Sequence, residues 1–467
     1  MNLARRNGVF MGLWKLLPVV GWTLCVSTGA ACQQVPPAQS AADQQPAGPA
    51  SVSAGEDGAA PAPSSDDASA QASSKPPPAE KAEEAEANAA APQPLPFPQA
   101  TSAFGIELFR TAGATRQGNL AISPVSISTV MAMIWVGARG ETRAEMTRTL
   151  RLLGTESDVG ASVKTLMSAF NGLNDQHTKL RTGNGVFVER TCKLEPGFLE
   201  VTREQFRAPA ESVDFIGAPE AARRLINERV AKQTERKITA ILPDESVDSN
   251  SKVVVTNAVY FKGKWQSPFK PHHTYLQDFY VNGGTPQQVR MMHQSAKFKH
   301  TAADGVQLLE LPYKGKGKDL SMLIVLPDEK NGLGKLEREL TAERLEGWVE
   351  SLQEKRVAVE LPRFEMKATT PLVGPLEKLG MKRAFDPGQA EFGGMSTCAL
   401  LYLENVYHQA FVKVDEQGTV AAAATAGHAR PASAVISTPF VADHPFLFAI
   451  RHPASGTLLF LGRVVAP

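Results

Sequence analysis

Gly394-Met395-Ser396-Thr397-Cys398 is the chain's nearest approach to a catalytic nucleophile. A nucleophile elbow holds its serine at a sharp strand-to-helix turn and needs a second glycine there, which this stretch lacks. His272 and His273 are adjacent and point to opposite sides of an extended chain, a poor chelate geometry. Gly315-Lys-Gly317-Lys reads as a solvated basic turn between strands. No His-Glu-x-x-His, Cys-x-x-Cys, phosphate loop or dinucleotide fingerprint occurs. The residue types therefore nominate no enzyme, no metal and no cofactor.

One segment departs from ordinary fold construction. Between Val414 and Pro439 the chain turns at Gly418 and runs through mostly small residues: Thr419, Ala421, Ala422, Ala423, Ala424, Thr425 and on to Ala432 and Ser433. Four consecutive alanines favour helix by propensity. Gly418 before them and Gly427 and Pro431 after them leave room for about two turns, too few to be stable without packing. A long stretch of this kind between two strands is either functional or disordered.

The rest must supply the frame that holds this segment. Helical spacing of apolar residues predicts helices over Ser102–Ala112, Ser126–Val136 and Ala221–Ile241, the last with Leu225, Ile226, Val230 and Ile238 on one side. Runs rich in β-branched and aromatic residues predict strands over Lys252–Phe261, Leu320–Leu326, Arg356–Leu361, Tyr407–Val414, Phe446–Ile450 and Thr457–Val464. Several are close enough to pair as hairpins, so the class is α+β, with large antiparallel or mixed sheets rather than a doubly wound one.

The 467 residues hold 49 Lys plus Arg against 48 Asp plus Glu, a net charge of +1 that disfavours nucleic acid as a partner. That near-zero value hides three parts. Residues 1–32 carry +3 (Arg5, Arg6, Lys15) and combine a charged start, an apolar run to Leu24 and small residues before Cys32. This is the pattern of a signal peptide. Cys32 after Ala30-Ala31 fits part of a bacterial lipoprotein box, which would make it a lipid anchor, although Gly29 stands where that box prefers Leu. Residues 33–98 hold 13 of the 33 prolines, one aromatic (Phe97), nine acidic residues and two lysines, and read as a disordered acidic tether. The remaining 99–467 carry +5 and read as one folded domain. Export would permit a bridge between Cys192 and Cys398. Nothing in their wide separation brings them together, and the expectation is two isolated thiols.

Glu416-Gln-Gly418-Thr419-Val-Ala421-Ala-Ala-Ala424-Thr425 resembles the hinge of a serpin reactive-centre loop. The resemblance continues, in the family's order over about 99–467, through Asn119-Leu-Ala-Ile-Ser123-Pro-Val-Ser126, Thr256-Asn257-Ala-Val-Tyr260-Phe261-Lys-Gly263-Lys-Trp265, Glu310-Leu-Pro312-Tyr313, Leu361-Pro362-Arg363-Phe364 and Phe440-Val-Ala-Asp-His444-Pro445-Phe446. It implies a serpin-like fold, metastable, with an exposed loop over about 416–439 and no enzymatic activity of its own. The chain is then a suicide-substrate inhibitor of a serine protease, or of a cysteine protease, and the cut loop enters the main sheet as a new strand. The alternative is a non-inhibitory binding or carrier protein on the same fold. An exported bacterial member is expected, monomeric, secreted or held at the cell envelope through Cys32.

Insertion makes its own demand on sequence. Alternate residues of the entering strand face the core: Thr419, Ala421, Ala423, Thr425 and Gly427, all small and uncharged. The outward set begins at Val420, where inhibitory relatives carry Glu. The resemblance further assigns Ser123, Ser126, Asn257 and His408 to the cluster under the sheet centre that governs its opening, and Trp265 to the top of the sheet, where insertion begins. It pairs Glu416 with Arg363. Counting along the loop places the scissile bond at Ala432-Ser433, a small residue suited to elastase- or subtilisin-like enzymes. A register slip of one or two would make Ser433 or Ala434 the residue before the cut; Arg430 is a further rival, but Pro431 would obstruct cleavage after it. Glu228 and Arg236 depart from a usual Trp and Gly, and Pro371 and Pro375 also differ, which leaves local shape open at those places.

Overall fold

A computed structural model describes residues 93–467, apart from 209, 282–283, 400 and 420–435. The segment expected to be a signal peptide, Cys32, most of the expected tether, Ala421–Ala424, Thr425, Ala432 and Ser433 lie outside the described residues.

The helices are α1 (Phe97–Ala114), α2 (Pro124–Gly137), α3 (Gly140–Leu150), α4 (Glu156–Gly172), α5 (Pro196–Val201), α6 (Pro219–Gln233), α7 (Leu333–Glu339), α8 (Ala342–Glu350) and α9 (Val373–Lys378). The strands are β1 (Leu120–Ile122), β2 (Thr178–Glu189), β3 (Ala210–Val213), β4 (Val253–Lys264), β5 (Thr274–Tyr280), β6 (Pro286–Ala303), β7 (Val306–Pro312), β8 (Ser321–Pro327), β9 (Gln353–Pro362), β10 (Phe364–Pro371), β11 (Asn405–Asp415), β12 (Gly418–Thr419), β13 (Thr438–Val441), β14 (Phe446–His452) and β15 (Thr457–Val464). Among the described residues they form a mixed sheet in the order β10-β11-β12-β4-β2-β3 and a second in the order β1-β15-β14-β8-β7-β6-β9-β13, with β5 beside β6.

The first of these carries the hinge residues Gly418 and Thr419 in β12, and its strand β4 is covered on both faces. The period-2 alternation of β4 sends Val253, Val255, Val259 and Phe261 into the large core and Val254, Ala258 and Tyr260 into a second, smaller core with Ile226 and Val230 of α6. Burial on both faces is why this strand is a nearly continuous apolar run. Every residue of α2 is buried; Pro124 opens it, where a missing N–H costs nothing.

The structure corrects three expectations and fills in one place that the sequence left open. Cys192 and Cys398 are not isolated thiols but a disulfide, with Cα atoms 5.0 Å apart. The folded part begins before residue 99: Leu95 N–H donates to Arg151 O (3.1 Å), and Phe97, the one aromatic of the expected tether, is buried at the start of α1. The third predicted helix stops at Gln233, and its Leu225 is 45% exposed while Ile226, Val230 and Ile238 are buried. Finally, the two departures near α6 meet each other: Arg236 adopts φ 57° and its guanidinium pairs with Glu228 at 2.9 Å. A left-handed backbone there favours glycine; here an arginine takes it, and the pair puts opposite charges on the outer face. Pro371 falls at the end of β10 on the sheet's edge, and Pro375 within the first turn of α9, both places that tolerate a missing N–H.

Candidate functional site

β11 and β4 are parallel neighbours, paired from Asn405↔Val254 to Phe411↔Tyr260. Above that ladder the chain leaves β11, turns, and returns as β12 between the same two strands. Val414 pairs with Thr419 and Asp415 with Gly418 on one side; Gly418 pairs with Lys264 and Thr419 with Gly263 on the other. The start of the hinge is thus already a short wedge at the top of the seam between β11 and β4.

The wedge can sit there because of two small residues. Gly418 has φ +149°, and a Cβ on it would lie 2.0 Å from Gly263 O, so no other residue fits. Thr419 is fully buried, and its hydroxyl shares a hydrogen bond of 2.8 Å with Tyr313 OH. The Tyr313 ring stacks on Trp265 with centroids 4.8 Å apart. Trp265 in turn holds the turn itself: its Nε1–H donates to Asp415 O (3.0 Å) and its backbone N–H to Gln417 O (2.9 Å).

Glu416 is buried beside this turn. Arg363 Nε–H donates to its carboxylate at 2.7 Å, a second guanidinium N–H reaches the same oxygen, and Thr274 Oγ1–H donates at 2.5 Å. Burial alone would push the Glu416 carboxyl up, but these donors outweigh it and hold it below its ordinary value.

Midway down the seam lies a buried polar cluster. His408 and Asn257 face each other in the ladder. Ser123 N–H donates to His408 Nε2 (3.1 Å), so the ring proton sits on Nδ1 and is donated to Asn257 Oδ1 at 2.5 Å. The Asn257 amide donates to Ser126 Oγ (2.7 Å) and Asn184 Oδ1 (2.6 Å), and Ser126 Oγ–H donates to Asn184 at 3.1 Å. Ser123 Oγ–H donates to Leu459 O (2.6 Å) rather than capping α2. Burial lowers the His408 pKa to about 3, which keeps the ring neutral.

The structure therefore groups Glu416, Gly418, Thr419, Trp265 and Arg363 at the top of the seam and Ser123, Ser126, Asn257 and His408 beneath it. Asn184, Tyr313 and Thr274 complete the two groups and were not singled out from sequence. Only Tyr313 carried a signal there, through its place in the Glu310-Leu-Pro312-Tyr313 motif. At the far end of the loop Ile436 is 97% exposed, and β13 pairs in parallel with β9. Among the described residues the arrangement has no nucleophile–base pair; it holds a short strand between two others.

The family model described as "Serpin (serine protease inhibitor)" matches residues 99–467. The leukocyte elastase inhibitor of Bos taurus is 42% identical over 377 residues, covering 79% of this chain and 98% of the relative. Serpin48 of the insect Tenebrio molitor is similar in structure, with TM-score 0.71, 31% identity and coverage of 79% of this chain and 98% of its own. A thyroxine-binding globulin in complex with thyroxine is also similar, at TM-score 0.71, 28% identity and coverage of 79% and 98%.

Proposed function

The chain belongs to the serpin family of serine protease inhibitors, and we propose that it traps a protease by inserting its cut loop along the β11–β4 seam. The observation that carries this reading is the β12 wedge. Continuing its register, each step along the loop is one step back along β4 and β11, so Thr425 would arrive opposite both Asn257 and His408. Thr419, Ala421, Ala423 and Thr425 would then face the core side by side, and no charge would be buried. A carrier protein needs no such alternation.

The chemistry is the protease's own. Its nucleophile attacks the carbonyl carbon of the residue before the cut, the C–N bond breaks, and the amine leaves with a proton, giving an acyl-enzyme. Insertion of the free loop as a strand antiparallel to both neighbours carries the acyl-enzyme away from the hinge before water can complete the cycle. We place the cut at Ala432-Ser433 and the target among elastase- or subtilisin-like serine proteases, in keeping with the elastase inhibition named for the bovine relative. We also read the protein as a monomer that is exported, secreted or lipid-anchored through Cys32; the Cys192–Cys398 bridge suits an oxidising compartment.

The test is to mix the purified protein with such a protease. An SDS-resistant covalent complex is expected, with mass spectrometry placing the cut within residues 430–435. Cleavage without a complex, and without a rise in thermal stability afterwards, overturns the inhibitor reading.

A further inference from the structure

We propose that the Cys192–Cys398 disulfide is a covalent tie across the seam that the loop must open, so that the rate of loop insertion depends on the redox state of this bond. The proposal rests on the insertion reading above.

The registers fix where the bond lies. Val188 of β2 pairs with Val253 of β4, and Asn405 of β11 with Val254, so the end of β2 and the starts of β4 and β11 lie together at the end of the strands opposite the hinge. Cys192 sits in the turn after β2, its N–H donating to Glu189 O (2.8 Å) at the end of that strand, and β2 is hydrogen-bonded to β4. Cys398 stands in the segment that runs into β11. The bond therefore joins the β4 side of the seam to the β11 side at its lower end.

A new strand requires β4 and β11 to move from one strand spacing apart to two, a shift of about 4.8 Å. The segments carrying the two cysteines are already docked on each other. Leu194 and Ser396 form an antiparallel bridge, Ser396 Oγ–H donates to Lys193 O (2.7 Å), and Glu195 N–H donates to Met395 O (2.9 Å). Hydrogen bonds of this kind can open one at a time. The S–S bond cannot, and it holds the two backbones together while the hinge end is free to part. Reduction by a dithiol transfers two electrons and two protons to the bond, gives two thiols and leaves the reductant as a cyclic disulfide. Cys192 is buried, whereas Cys398 is only partly so and offers the attacking thiolate its route.

The full chain is compared in three forms: oxidised, kept in dithiothreitol with both thiols verified by mass spectrometry, and as Cys192→Ser/Cys398→Ser. The loop is cut by a disulfide-free protease, and two quantities are followed: the rate at which cleaved protein gains thermal stability, and the number of inhibitor molecules consumed per protease. The reduced form and the variant are expected to gain stability several-fold faster and to be consumed in fewer copies per protease trapped. Equal rates in oxidised and verified reduced protein overturn the proposal, and this comparison stands even if the serine pair fails to fold. Absence of any stability gain in every form overturns the insertion reading itself, and the tie with it.

Discussion

His408 and Asn257 hold each other across the seam between β11 and β4, with imidazole Nδ1–H donating to the amide oxygen at 2.5 Å. The same two residues are the ones that an inserting Thr425 would have to part. A bond that locks the closed sheet is thus placed where the loop's own hydroxyl could replace it.

His408→Ala removes the ring that receives Ser123 N–H and leaves Asn257 Oδ1 unpaired in the core. An unsatisfied buried group costs about 1–3 kcal/mol. The intact protein should melt several degrees lower and lose inhibitory activity faster on storage, whereas the cleaved form should lose less. Thermal unfolding of both forms checks this.

The same histidine sets a pH dependence. Its pKa is about 3 in the fold and near 6.5 when unfolded. Between those values the unfolded chain binds the extra proton, so the stabilising contribution is complete above pH 6.5 and falls by roughly 1.4 kcal/mol per unit below it. His408→Gln should flatten that part of the stability profile between pH 6.5 and 4, measured by denaturant unfolding.

Thr419→Arg would drive a charge into a fully buried position beside Tyr313. The variant should be cleaved at the wild-type bond but fail to trap the protease, becoming a substrate. A gel assay of complex against cleaved product reads this directly.

Gly418→Ala tests the wedge. Its Cβ would meet Gly263 O, so the hinge must withdraw from between β11 and β4. Trp265 and Tyr313, which stack under it, should then report a changed fluorescence before any protease is added.

Arg363→Ala leaves Glu416 buried without its cation. Loss of about 1–3 kcal/mol is expected at neutral pH. Because the Glu416 pKa is lowered in the fold, this contribution is present above the ordinary glutamate range and disappears as pH falls through the folded value. The melting temperatures of variant and wild type should therefore converge in acid.

What the sequence determined by itself was whatever rests on local rules. Period-2 alternation marked the strands, Pro124 opened a helix, and the run from Gly418 showed a segment whose every second residue could enter a core. The resemblance to serpins implied the pairing of Arg363 with Glu416 and the grouping of Asn257 with His408. Periodicity misread Leu225 because an exposed leucine costs little and leaves no local trace. Asn184, Thr274 and the meeting of Cys192 with Cys398 were decided only by tertiary structure. Their partners lie dozens to hundreds of residues away, and a polar or thiol side chain acquires its role from whichever strand the fold sets beside it.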